Sequence, residues 1–197
     1  MIGRPPIALS DPAQAKAALR LVLRDQRRAL ATRIPDAGQR AAALLPDARL
    51  SGWSFAAGYR PRGGEIDPRP LMARLAAAGA MLALPVALDR DSPLEFRAYD
   101  TGDRLEPDAY NIAAPTAEAP LARPDLVIAP LLAFDRRGGR MGQGGGHYDR
   151  TLAGLRAEGP VFVLGLAYAA QEVAEIPAEP HDQRLDAILT EKAYIEV

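Results

Sequence analysis

Cysteine is missing altogether from the 197 residues. Its absence excludes disulfides, cysteine-held zinc and a thiol nucleophile. Long apolar runs are missing too. No stretch approaches the ~18 residues of a membrane-spanning helix, and Met1 to Asp11 carries no apolar segment of the signal-peptide kind. A soluble, cytoplasmic protein without membrane contact is therefore expected. Charge of one sign is scarce: the net charge is -1, and aromatics make up only 6%. Both argue against a nucleic-acid module. An anionic ligand would have to be held by a local basic cluster. What is present is an ordinary globular balance, with 48% hydrophobic and 25% charged residues.

Patterning along the chain alternates between helical and extended periods. Asp11 and Pro12 start a helix in which Leu19, Val22, Leu23 and Leu30 recur at helical spacing, and Pro35 ends it near Ile34. Lys16, Arg20, Arg24 and Arg28 stand four apart and form a basic stripe, while Arg27 and Arg33 read as solvated. A short helix is expected over 36–45. Strands are expected over 53–59, 81–87, 94–99 (an edge), 126–129, 161–167 and 187–190, the last strand of the chain. Helices are expected over 67–78 and 148–157. The stretch 101–124 reads as loop. Strands alternating with helices predict one α/β domain, 1–197, with a mainly parallel sheet. Trp53 reads as a core residue.

The most informative segment runs from Ala133 to Arg150, between a strand and a helix: AFDRRGGRMGQGGGHYDR. Successive glycines let backbone N–H groups approach a phosphate, and the following helix start adds its dipole. Arg136, Arg137 and Arg140 supply charge. The segment matches neither a P-loop, which ends in Gly-Lys-Ser/Thr, nor a dinucleotide fingerprint. Asp149 has two readings: a first-turn acid that favours the helix dipole, or a carboxylate for magnesium beside phosphate oxygens. Tyr148 is either a core ring or a ring that stacks on a flat ligand. His181 and Asp182 read as a structural hydrogen bond in the C-terminal loop rather than an acid–base pair.

Four segments in order resemble the 5-formyltetrahydrofolate cyclo-ligases, also called methenyltetrahydrofolate synthetases. They are Lys16-x-x-Leu19-Arg20, Gly64-Glu65-Ile66-Asp67, Pro130 to Arg150, and Pro177-x-Glu179-x-His181-Asp182-x-x-Leu185-Asp186. The resemblance implies a three-layer, Rossmann-like single domain. It also implies ATP- and Mg2+-dependent cyclisation of 5-formyltetrahydrofolate to 5,10-methenyltetrahydrofolate, with release of ADP and phosphate, by a monomer. On that basis Lys16 and Arg20 contact nucleotide phosphates. The ATP loop is Arg140, Met141, Gly142, Gln143, Gly144, Gly145, Gly146, His147 and Tyr148. Glu65 and Tyr148 meet the folate, Arg140 and Tyr148 take part in the chemistry, and Asp149 and Asp186 hold Mg2+. Two positions depart from many relatives. Gln143 stands where an aromatic or basic residue is common, and His147 where a second tyrosine is common.

The chemistry suits such residues. The formyl group on N5 is a poor electrophile. In the reaction the resemblance implies, ATP phosphorylates its oxygen to give an iminium phosphate. N10 then attacks, the ring closes and phosphate leaves. No protein nucleophile is needed, only positioning and charge neutralisation. Two other classes predict different behaviour. A sugar-phosphate isomerase or CoA transferase on a similar sheet would not need ATP, and a diverged folate or nucleotide binder would not turn over.

Overall fold

The computed structural model describes residues 12–177 and 179–197, with side chains from Ala17 onward. Asp11 lies outside the described residues. The first helix, α1, spans Pro12–Arg33, and α2 spans Ala37–Leu44. Strand β1 is Phe55–Ala57, followed by α3, Arg69–Ala77, and β2, Met81–Val86. An antiparallel β3, Glu95–Ala98, pairs with β2 at the sheet edge, as expected of 94–99. Within 101–124, read as loop, β4 (Leu105–Pro107) and β5 (Ala113–Pro115) form a small antiparallel pair. Three-residue strands rich in Pro, Glu and Ala carry too weak an alternation to be read from the sequence.

The second half begins with β6, Leu126–Pro130. The short strands β7 (Ala133–Phe134) and β8 (Arg140–Met141) pair with each other inside the expected loop. Helix α4, His147–Glu158, then leads to β9, Phe162–Leu166, and β10, Ala187–Leu189. One more strand, β11 (Tyr194–Glu196), returns antiparallel to β10 and was not anticipated.

The main sheet has the order β11-β10-β9-β6-β1-β2-β3. Its five central strands are parallel, in register Ala56↔Leu82, Ala56↔Leu126, Ile128↔Leu164 and Ile188↔Gly165. Successive side chains point to opposite faces. Ala56, Leu84, Ile128, Leu164 and Leu189 therefore pack towards α2 and α3. Ala57, Ala83, Val127, Val163 and Ile188 pack towards Leu152 of α4. The expected three layers with a mainly parallel sheet are thus present. From β1 the chain winds through α3 to β2 on one side. From β6 it winds through α4 to β9 and β10 on the other. The strand order reverses between β1 and β6, where a crevice opens at the carboxyl ends of the strands.

Helix α1 departs from its expected apolar face. Leu23 and Leu30 are buried, but Leu19 and Val22 are 42% and 54% exposed. The amino-terminal half of α1 turns arginines, not leucines, towards the glycine-rich loop, so Leu19 and Val22 find no core to enter.

Candidate functional site

A cavity of about 680 Å³ lies at the reversal point. Its walls come from α1, the loop after β1, the β4–β5 turn, the segment 140–149 and the C-terminal loop around Glu179 to Asp182. The four segments of the sequence resemblance contribute to it together, although 165 positions separate Lys16 from His181 in the sequence. Lys16 belongs to α1, but its side chain lies outside the described residues.

The basic side of the cavity is built from α1. Arg20 donates Nε–H to the Gly142 carbonyl at 3.3 Å. Arg24 donates to the Gln143 side-chain oxygen at 2.8 Å and to its backbone carbonyl at 3.1 Å. Gln143, which brings no charge of its own, thus sits in contact with one that does. Arg27, read from the sequence as a solvated residue, is a correction: it is 2% exposed and pairs with Glu65 Oε1 at 3.1 Å. Four-residue steps along the helix lead from Arg24 to Arg28, which pairs with Asp25 at the surface. Seven-residue spacing was the available signal. Arg27 follows Arg20 by seven, and two turns of a 3.6-residue helix return almost to the same face.

Segment 140–149 forms the opposite wall. The structure explains part of its glycine content. Gly144 and Gly146 have φ of +101° and +68°, a region that side chains with a Cβ rarely adopt. Gly146 immediately precedes α4, so the loop delivers its backbone to a helix start. Met141 is buried, and its carbonyl accepts from Leu132 N–H at 2.7 Å. Gly142, Gly145 and Gln143 line the cavity itself.

Arg140 is 9% exposed. Its Nη2 donates to Asp149 Oδ1 at 2.6 Å and its Nε to the Gln183 carbonyl at 3.2 Å. Its Nη1 points towards Gly142, 3.7 Å from where a Cβ on that glycine would stand. Tyr148 packs beneath it, with the guanidinium carbon 5.9 Å from the ring centre. Burial raises the Tyr148 hydroxyl well above its ordinary pKa, followed by the nearby Glu65 charge. At neutral pH that group is a neutral phenol, not a base.

His147 forms a second wall with Tyr110, a residue that sequence reading missed. The Tyr110 hydroxyl lies 2.6 Å from His147 Nε2, and His147 Nδ1 lies 3.0 Å from the Ser92 carbonyl. A carbonyl only accepts, so Nδ1 carries the hydrogen, and in the neutral ring Nε2 accepts from the Tyr110 hydroxyl. Arg150 Nη2 also lies 3.2 Å from Nδ1, but it has a better acceptor in the Gly145 carbonyl at 2.9 Å. Arg62 ties the β4–β5 turn down by donating to the Tyr110 carbonyl at 3.0 Å.

Glu65 enters from the loop after β1. Its Oε2 accepts from Arg62 N–H at 2.9 Å, and its Oε1 accepts from Arg27. Burial raises its pKa; the charge of Arg27 and the Arg62 N–H oppose that rise. Tyr59, from the same loop, is buried and donates to the Ile66 carbonyl at 2.7 Å. His181 and Asp182 both line the cavity and do not hydrogen-bond each other. Asp182 accepts from Glu179 N–H at 2.8 Å, and His181 stands 3.4 Å from Glu179 and 3.8 Å from Asp182.

The two expected metal carboxylates are not brought together. Asp149 lines the cavity; its Oδ1 accepts from Arg140 and from Gln183 N–H at 3.0 Å, and its Oδ2 has no hydrogen-bond partner among the described residues. Asp186 instead accepts from Val163 N–H at 2.7 Å and from Arg156 at 3.2 Å. That places it at the amino ends of β9 and β10, the far end of the sheet from the crevice. Asp149 is part of the cavity lining and Asp186 is not. The reason is local. A parallel strand starts with an unpaired N–H, and the adjacent aspartate caps it, as Asp125 does for Ser54 and Phe55 at 2.8 and 3.0 Å. Among the described residues, no three His, Cys, Asp or Glu side chains cluster to hold a metal. Asp149 still fits Mg2+, which takes one or two carboxylates and draws its other oxygens from phosphates and water.

Comparison with known proteins bears on the same segments. The model of the 5-formyltetrahydrofolate cyclo-ligase family matches residues 12–191. A 5-formyltetrahydrofolate cyclo-ligase of Mycolicibacterium smegmatis is 31% identical over 190 residues, covering 92% of this chain and 96% of its own length. One from Escherichia coli K12 is 36% identical over 132 residues, covering 64% of this chain and 72% of its own. In three dimensions the chain is similar to the Aquifex aeolicus 5,10-methenyltetrahydrofolate synthetase. The TM-score is 0.74 at 25% identity, and the match covers 92% of both chains.

Proposed function

The chain belongs to the 5-formyltetrahydrofolate cyclo-ligase family, and from that premise we propose that it closes the folate ring with ATP and Mg2+ in the cavity between β1 and β6. The observation that carries this reading is the joining of Arg20, the glycine-rich turn 142–146, Arg140, Asp149 and Glu65 around one cavity.

Each residue has a task in that reaction. Arg20, with Lys16 one turn before it, holds the outer phosphates. Backbone N–H groups of the turn and the start of α4 receive the transferring phosphoryl group. Arg140 reaches it with Nη1, its other nitrogens being engaged. Asp149 Oδ2 is the protein oxygen offered to Mg2+, which when bound neutralises phosphate charge. Asp186 is left out of this proposal and caps a strand. Glu65 offers acceptor lone pairs to the N–H donors of the pterin edge. Tyr148 stays neutral, lying between the folate and the nucleotide as a ring to stack on and a hydroxyl to donate.

The bonds balance without a protein nucleophile. The formyl oxygen takes the γ-phosphoryl group and ADP leaves. N10 attacks the resulting iminium carbon, the five-membered ring closes, phosphate departs with the former formyl oxygen, and the N10 proton passes to that phosphate or to water. The protein orients the reactants and keeps water from the activated carbon. A soluble cytoplasmic monomer is part of the same proposal; no helix among the described residues is long and apolar enough to cross a membrane.

The test is turnover of 5-formyltetrahydrofolate with ATP and Mg2+, followed by the near-ultraviolet absorbance of the methenyl product, each reactant being omitted in turn. The proposal expects absorbance growth only with all three present. A folded protein that binds folate or nucleotide without turnover would be a diverged binder, and Gln143 and His147 would be the first residues to restore.

A further inference from the structure

We infer that Arg27 is the positioning residue of the folate subsite, holding the Glu65 carboxylate ionised and in one orientation from behind. The inference rests on the reading of Glu65 as the folate contact and goes beyond it, since Arg27 need not touch either substrate.

The geometry is that of a clamp. Arg27 is 2% exposed, yet it spreads its two terminal nitrogens over four acceptors. Nη1 reaches Glu65 Oε1 at 3.1 Å and the Leu131 carbonyl at 3.2 Å. Nη2 reaches the Arg62 and Gly63 carbonyls, both at 3.2 Å. Leu131 follows β6, and 62–65 belong to the loop after β1. One guanidinium therefore ties α1 to both strands that flank the reversal point. The Arg62 N–H holds the other oxygen of Glu65 at 2.9 Å, so the carboxylate is fixed at both ends. The loop also lies directly on the helix: a Cβ on Gly64 would stand 3.0 Å from Arg28 Cα. Gly64 has φ +82°, which suits glycine.

A planar fork is needed here. Lysine could neutralise Glu65, but its compact ammonium cannot reproduce Arg27's four contacts. The arrangement also solves an electrostatic problem. Burial pushes Glu65 towards its neutral acid, and Tyr59 and Tyr148 nearby bring no positive charge. Arg27 is the cation paired with it, assisted by the Arg62 N–H and the Gln143 side chain. A neutral carboxylic acid keeps one oxygen as a donor and cannot accept from two N–H groups of a pterin edge in the same way.

The experiment compares Arg27→Lys, Arg27→Gln and Glu65→Gln for folate KM, ATP KM and the pH dependence of kcat/KM for folate. Arg27→Gln should raise folate KM by about tenfold or more and leave ATP KM within about twofold. Arg27→Lys should fall between it and the parent protein. The sign of the pH effect follows from the ionised form being the binding form: kcat/KM falls as pH drops through the Glu65 pKa. Loss of the Arg27 charge raises that pKa, so the fall should begin at higher pH in Arg27→Gln. In Glu65→Gln that acid limb should vanish, and adding Arg27→Gln should change folate KM little further.

Unchanged folate KM in Glu65→Gln would remove the reading on which the inference rests. A raised folate KM in Glu65→Gln, with folded Arg27→Lys and Arg27→Gln variants that lose only melting temperature and keep folate KM and the acid limb, would overturn the inference itself.

Discussion

At the scale of single residues, Asp149 and Asp186 separate what a carboxylate does from where its sequence neighbours suggest it should be. Both follow the order of the family's segments, yet one lines the cavity and the other accepts from Val163 N–H at 2.7 Å. Asp149→Asn should keep an acceptor for Gln183 N–H, and so keep the fold, while removing the charge offered to Mg2+. Turnover is expected to fall by at least about 100-fold, with more Mg2+ required for what remains. Asp186→Asn should behave differently, costing about 1 kcal/mol of stability through a weaker strand cap while leaving the Mg2+ requirement unchanged. Paired melting curves and Mg2+ titrations check both. A shifted Mg2+ requirement in Asp186→Asn would return that residue to the metal site. Arg27 teaches a similar lesson: among the arginines of α1 its sequence spacing looked idle, and its burial shows that it is not.

At the scale of elements, the join between the glycine-rich turn and α4 is the point where conformation and chemistry meet. Gly146 has φ +68°, and a Cβ there would come 2.6 Å from Arg150 Nη1. Arg150 in turn holds the Gly145 carbonyl at 2.9 Å. Gly146→Ala should therefore cost about 1–2 kcal/mol, ~2–8 °C in melting temperature, through left-handed strain. It should also raise ATP KM more than folate KM, because in the proposed reaction the turn receives the nucleotide phosphates. Kinetics against each substrate check this; an equal rise in both would mean the turn does not discriminate them. The paired strands β7 and β8 serve the same join. They fold the chain back so that Arg140 and Met141 start the turn from a hydrogen-bonded base.

For the whole molecule, the cavity is assembled from parts that pack together only once the sheet has formed. The loop after β1, the end of β6 and the start of α4 converge because the strand order reverses between β1 and β6. A ligand spanning these parts binds the folded state and not the unfolded chain, so it must raise stability by mass action. ATP with Mg2+ at about 100 times its Kd should stabilise by about 2.7 kcal/mol, ~5–11 °C in melting temperature. Thermal scans with and without nucleotide test this, and in Asp149→Asn the rise should be smaller and need more Mg2+ to appear. In the proposed reaction the net charge of -1 would not attract the nucleotide. The local concentration of arginine from α1 and Arg140 would do so instead.

Much of this was legible in the sequence because it depends on local physics. Helical spacing placed α1 and α4 within about a turn of their observed bounds. β-branched runs located β6 and β9, and alternation between strand and helix patterns fixed a three-layer arrangement with a parallel sheet. Glycines next to arginines marked the turn before α4, since left-handed backbone and phosphate binding both demand that composition. The rest depended on contacts between segments distant in sequence. Arg27 meets Glu65 across 38 positions, and Tyr110 meets His147 across 37. Burial of such groups is decided by what packs over them, which no local window contains. Asp186 shows the converse: the family resemblance implies a metal role for it, but the residue caps the Val163 N–H at a strand start, at the end of the sheet away from the cavity. Composition and spacing determined which chemistry was present; the reversal of strand order decided which residues could share it.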